Sequence, residues 1–212
     1  MRFWSRRVAG SANEDRLELS CRGDRWTVVV ADGAGGIAGG AAAARSATDA
    51  MAALGANEEL DADGWCEHLH RLDRALNADP RCGETTIVIV QMSRGEIWGA
   101  AVGDSGALLV EPVGLVDLTV GQRRKPLVGS GVCRPSGIAR RALSGRILVA
   151  TDGLLKYAPQ ETLGALARTG DVRTTVEALI QAVTLPSGRL HDDVAVVLGE
   201  HIGQGSSTSP GA

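Results

Sequence analysis

The stretch Val28-Val29-Val30-Ala31-Asp32-Gly33-Ala34-Gly35-Gly36 constrains this chain more than any other. Valine resists the helix and packs well on a pleated surface, so the run reads as a buried strand. It stops at an aspartate, and the glycines that follow permit a sharp bend or a close approach of backbone to a ligand. Asp32 is thereby delivered to a strand end, where its carboxylate can face a cleft. The device recurs. Val102-Gly103-Asp104-Ser105 follows a strand-like run from Glu96, and Leu148-Val149-Ala150-Thr151-Asp152-Gly153 is a second apolar run ending in Asp-Gly. His191-Asp192-Asp193 inverts the order, with the acids preceding an apolar run from Val194 to Leu198, and Asn13-Glu14-Asp15 adds carboxylates near the amino end. Clustered carboxylates repel one another and lose solvation, so they persist mainly where cations hold them. If these strand ends converge, a polynuclear site of hard divalent cations explains them.

The 212 residues suffice for one substantial core, and no repeat or composition break marks a second domain. Aromatic residues are only 3% of the chain, so that core has to be built from Ala, Val, Leu and Ile. A formal charge of -3 gives no electrostatic case for nucleic acid or an anionic membrane. No apolar run approaches the length that spans a bilayer, and Met1 to Gly10 lacks the apolar region of a secretory signal. Cys21, Cys66, Cys82 and Cys133 are scattered without a C-x-x-C pair, which suits reduced thiols in a cytoplasmic protein.

In chain order, Arg2 to Arg7 reads as a basic lead-in. Strands at Arg16 to Cys21 and Trp26 to Ala31 form a hairpin, and alanine-rich Gly39 to Leu54 reads as a helix. A second helix from Asp61 to Leu76 carries Trp65, Leu69, Leu72 and Leu76 on one face. His68 and His70 in it are two apart, diverge, and make a poor ligand pair. Strands follow at Thr85 to Met92, Glu96 to Val102 and Ala107 to Glu111. The segment from Pro112 to Ser144 reads as a basic loop able to steer phosphorylated substrates. A strand at Arg146 to Ala150, helices at Gln160 to Arg168 and Val172 to Val183, and a last strand from Val194 complete the predicted domain, residues 1–202. The tail, residues 203–212, is expected to be disordered. Antiparallel strands with paired helices predict an α+β fold, two sheets packed face to face with helices outside.

Six pieces in order, Asn13-Glu14-Asp15, Asp32-Gly33-Ala34-Gly35-Gly36, Gly83-Glu84-Thr85-Thr86, Gly103-Asp104-Ser105, Thr151-Asp152-Gly153 and Asp192-Asp193-Val194, resemble the type 2C metal-dependent serine/threonine phosphatases, in a short bacterial-like form. Turn chemistry accounts for any single Asp-Gly, but not for this order across residues 10–199. The resemblance implies two Mg²⁺ or Mn²⁺ ions in a cleft at one end of the sandwich. Asp32 would bridge them, Glu14 and the Gly33 carbonyl would complete one shell, and Asp152 and Asp192 would hold the other ion. Asp104 would serve a third, weaker ion, and Asp15 would hydrogen-bond water bound to the metals. Water activated by the ions would then attack a phosphoserine or phosphothreonine in line. The implied partners are phosphoproteins that a serine/threonine kinase has modified. Three departures stand out. The family's phosphate-clamping arginine is replaced by Gly10, with Arg6, Arg7 or a loop arginine as substitutes; a histidine frequent in eukaryotic members is replaced by Ala34; and the interval between Asp104 and Asp152 leaves room only for a reduced flap. His191 is read as a surface residue with the option of acting as an acid. The alternative reading is a catalytically inactive relative that binds phosphoproteins.

Overall fold

The computed structural model describes residues 1–10, 12–34, 39–140 and 145–200. Gly35 and Gly36, the end of the predicted 112–144 loop and the 203–212 tail fall outside the described residues. Two five-stranded antiparallel sheets form a sandwich. The first sheet has the order β1 (Arg2–Val8), β10 (Val194–Glu200), β9 (Arg146–Ala150), β6 (Gly106–Glu111), β7 (Gly114–Asp117). The second has the order β2 (Arg16–Arg22), β3 (Arg25–Ala31), β4 (Ile87–Ser93), β5 (Glu96–Val102), β8 (Ser136–Arg140). Helices α1 (Gly40–Asn57) and α2 (Ala62–Ala78) cover the second sheet, while α4 (Gln160–Arg168) and α5 (Val172–Ala182) cover the first. The short α3 (Asp152–Leu155) follows β9 directly.

Alternation of side chains across each strand produces the layers. Val29, Ile87 and Ile89 face α1 and α2, whereas Val28, Val30, Val88 and Val90 face Ile147, Val149, Ala195 and Val197 of the other sheet. Leu148, Val196 and Leu198 pack against Leu163, Val176 and Leu179 on the far side. The predicted stripe of α2 is confirmed, with Trp65, Leu69, Leu72 and Leu76 all buried. Among the described residues, no helix is long and apolar enough to cross a membrane.

Two expectations change. The basic lead-in is strand β1, paired with β10 from Arg2↔Glu200 to Val8↔Val194. Its side chains diverge to both faces, with Phe3 on Trp26 at a ring separation of 4.8 Å and the Arg173 guanidinium 4.8 Å over Trp4. The predicted 112–144 loop contains strands β7 and β8, which add one edge to each sheet.

The remainder of that segment is held down firmly. Gly103 donates to the carbonyl of Arg123, and Thr85 and Val128 exchange backbone hydrogen bonds of 2.9 and 3.1 Å. The buried Asp73 carboxylate of α2 accepts from the backbone N–H groups of Gly129 (2.7 Å), Gly131 (3.0 Å) and Cys133 (3.1 Å). Replacing Asp73 with alanine leaves three donors without their acceptor, each expensive to orphan when buried. Asp73→Ala should therefore lose about 3 kcal/mol of stability, measured as a lower urea midpoint at unchanged slope.

Candidate functional site

Each acid predicted from the sequence lies where the chain crosses from one sheet to the other or turns at a sheet end. Glu14 and Asp15 lie between β1 and β2, Asp32 follows β3, Asp104 sits in the turn from β5 to β6, Asp152 follows β9, and Asp192 precedes β10. These acid-bearing segments all lie at one end of the sandwich, whereas the passage from β8 to β9 is made at the other. The acids lie within electrostatic reach of one another. Asp32 feels Asp15, Asp152 and Asp192; Asp152 feels Asp104 and Asp192; Glu14 feels Asp192 and Asp193.

The local chemistry fixes Asp32 tightly. Its N–H donates to Thr86 Oγ1 at 3.0 Å, and its carbonyl accepts from the Thr86 N–H at 2.8 Å and from Thr85 Oγ1 at 2.9 Å. Thr86 Oγ1 is also 2.7 Å from Ser105 Oγ, which ties the end of β3 to the turn bearing Asp104. Gly33 is indispensable, because a Cβ there would stand 2.4 Å from the backbone carbon of Gly40. That contact sets the start of α1 against the strand end, beside the Glu14 carboxylate.

Asp15 is the deepest acid at 2% exposed, and its Oδ2 accepts from Thr151 Oγ1 at 2.7 Å. The Asp15 and Asp32 carboxyl groups lie close enough to act on each other electrostatically. Burial, first of all, pushes both well above the ordinary carboxylate range, and for Asp32 repulsion from Asp15 adds to it. Burial likewise raises Asp152 and Glu14, reinforced at Asp152 by Asp104 and at Glu14 by Asp193.

Asp193 is a functional residue to which the sequence reading assigned no role. It is 4% exposed, and its two carboxylate oxygens accept from the N–H groups of Gly10 and Glu14, both at 2.6 Å. Consecutive residues entering a strand face opposite sides, so a doubled acid implies one inward and one outward carboxylate. The same clasp explains Gly10. A Cβ at that position would meet the backbone carbon and oxygen of Asp192 at 2.6 Å, so no arginine fits there without displacing the 192–193 backbone.

Of the substitutes considered for a cation at Gly10, Arg6 pairs with Glu177 at 3.5 Å and Arg7 donates to the Asp15 carbonyl at 3.0 Å. Arg124 and Lys125 from the pinned loop instead line a cleft of about 410 Å³ together with Asp32, Thr86, Asp104 and Asp152. Ala34 lines it too and offers no proton donor. On the opposite flank Lys156 Nζ lies 3.9 Å from Asp152, and the exposed His191 stacks on Tyr157 at 4.6 Å.

Carboxylates and a backbone carbonyl are oxygen donors, a set that matches hard divalent cations which keep several waters. A cation among these acids would relieve the repulsion that raises Asp32 and Asp152. Among the described residues no three His, Cys, Asp or Glu side chains close around a single point, so the fit lies in the donor chemistry alone.

The sequence matches the family described as Protein phosphatase 2C over residues 4–184. The fold is similar to the PstP serine/threonine phosphatase catalytic domain in complex with two manganese ions, at TM-score 0.80 and 22% identity, covering 94% of this chain and 97% of that one. It is also similar to PstP/Ppp of Mycobacterium tuberculosis, at TM-score 0.75, 20% identity and coverages of 94% and 97%. Stp1 of Staphylococcus aureus gives TM-score 0.78, 18% identity and 95% coverage of both chains. No curated protein sequence matches the chain.

The raised carboxyls predict a sign. An acid whose folded pKa lies above its unfolded value binds more protons when folded, so stability falls as pH rises through the folded pKa. In EDTA the melting temperature should be several degrees lower at about pH 8 than at about pH 5.5. Mn²⁺ should restore more of it at the higher pH, as differential scanning fluorimetry would register.

Proposed function

This chain belongs to the protein phosphatase 2C family, and we propose that it is an active Mg²⁺/Mn²⁺-dependent protein serine/threonine phosphatase. The observation that carries this reading is the opposition of charge across one cleft. Crowded acids form its floor, and Arg124 and Lys125 stand on its rim. A carboxylate floor by itself would repel a phosphate dianion. With divalent cations on the acids and basic side chains on the rim, the same cleft attracts one.

In this reading Glu14, Asp32, the Gly33 carbonyl, Asp152 and Asp192 hold two ions, and Asp104 stands beside Asp152 for a third. Bound there, the cations supply water of lowered pKa and offset the charge of the phosphoryl oxygens. The chain's own side chains do the rest. Thr86 fixes the backbone from which Asp32 projects. Asp15, held by Thr151, is a hydrogen-bond acceptor beside Asp32 that orients water. Arg124 and Lys125 receive the phosphoryl oxygens, the guanidinium offering a planar two-point contact. The open cleft admits a phosphorylated side chain on an extended peptide. The manganese-bound PstP relative supports this class of ion. In this reading its substrates are phosphoproteins modified by a serine/threonine kinase, and it acts in the cytoplasm.

Hydrolysis of p-nitrophenyl phosphate and a phosphothreonine peptide, with Mn²⁺, Mg²⁺ or EDTA, tests the reading. Turnover should require the ion and fall at least about 100-fold in Asp32→Ala and in Asp152→Ala. A folded protein that binds Mn²⁺ yet hydrolyses neither substrate would instead be a phosphoprotein-binding relative. Arg124→Ala should raise KM for the peptide about tenfold with a smaller change in kcat, as initial-rate kinetics would separate.

A further inference from the structure

A second cavity of about 330 Å³ adjoins the catalytic cleft and shares Asp104 with it. Its floor is apolar, with Leu108 and Leu163 buried and Leu155 half-buried. Its polar lining is made of Asp104, Asp117, Thr119, Gln122 and Gln160. Asp104 and Asp117 contribute carboxylates. Gln122 spends its amide N–H on the Ser105 carbonyl at 2.6 Å, which fixes the orientation of the amide. Its Oε1 is buried and finds no hydrogen-bond partner among the described residues. Among the described residues that line the cavity none is basic. The basic residues of the same loop, Arg124 and Lys125, line the neighbouring cleft instead.

Two carboxylates with no basic residue among the described lining residues give the cavity a negative potential. The complement of such a pocket is a long side chain with an aliphatic stem and a cationic head. The stem would lie on the three leucines, as arginine and lysine stems do on apolar surface. The head would pair with the exposed Asp117 carboxylate, to which a guanidinium can offer a planar two-point contact.

We infer that this cavity is a specificity pocket for an arginine or lysine flanking the phosphorylated residue of the substrate. The inference rests on the phosphatase reading of the adjoining cleft and names its substrate class: phosphoserine or phosphothreonine in a basic sequence context. The two cavities divide the substrate by charge. The cationic rim takes the phosphoryl group, and the carboxylate-bearing pocket takes the basic neighbour. An acidic residue in that place would meet carboxylates and be rejected, so the pocket selects by repulsion as well as attraction.

The experiment uses paired phosphonate peptides that mimic phosphothreonine and cannot be hydrolysed, each pair carrying arginine or neutral citrulline at one flanking position. Anisotropy with the Mn²⁺-loaded protein should show about tenfold tighter binding of one arginine peptide over its citrulline partner. The ratio should weaken with added salt. Two variants should bring it to within about twofold of one. Asp117→Asn removes charge but keeps the acceptor that binds the Thr119 N–H and hydroxyl, both at 2.7 Å, and Gln160→Lys places a cation at the exposed rim. Equal binding of every pair by the unmodified protein, or a ratio that survives both variants, would overturn the inference. Because binding is read without turnover, the two readings fail separately. Preference without hydrolysis of the corresponding phosphopeptides would overturn only the phosphatase reading, and hydrolysis without preference only the pocket.

Discussion

Repulsion among carboxylates drawn to one end of a sandwich is the constraint on which everything else in this molecule depends. Left in water, each acid would be charged and indifferent to its neighbours. Brought together at strand ends, they push one another's pKa values up, and the fold has to oppose their tendency to separate. It does so with neutral donors set into the frame. The Thr151 hydroxyl accepts from the Ala195 N–H at 2.9 Å while donating to Asp15, and the Gly10 and Glu14 amides converge on Asp193. These contacts position the acids without neutralising them. The cluster thus keeps its appetite for cations, which a set of internal salt bridges would have satisfied.

Opposite the acids, the loop that bears Arg124 and Lys125 solves a complementary problem. Long basic side chains above an acidic floor would collapse onto it if their backbone were free. The loop is instead fastened from beneath by Asp73 and from the side by Thr85 and Gly103. A rigid mount costs a ligand less ordering entropy than a floppy one, so the cleft meets its ligand already shaped.

The architecture was legible in the sequence where burial is two-sided. Strands β3, β4, β9 and β10 carry continuous aliphatic runs, and α2 shows its apolar face at the expected spacing. The strands that escaped, β1, β7 and β8, all lie at sheet edges. An edge strand has one neighbour and an open side, so it tolerates arginines and short polar runs that mask the period-two signal. The acids were legible because a charge at the end of an apolar run stands out. Their supports were not. Thr151 meets Asp15 across 136 positions of chain, and Asp73 meets Gly129 across 56, separations at which no local pattern survives. The loss of a side chain at Gly10 could be read from the sequence, but its cause, the backbone of Asp192 pressed against that position, appears only in three dimensions.

The pairing of β1 with β10 has a consequence for how the protein comes into being. The strand that leads to Glu14 lies in register with the strand that follows Asp193, nearly the full described length of the chain away. Contacts of that separation carry the largest loop-closure entropy and form late. During synthesis Asp32 and Asp104 emerge from the ribosome long before Asp192 and Asp193 exist. The acid-bearing end therefore remains incomplete until the last strand is added between β1 and β9. Assembly of the sandwich and assembly of its acid cluster are a single event, and a partly made chain carries the acids without the frame that gathers them.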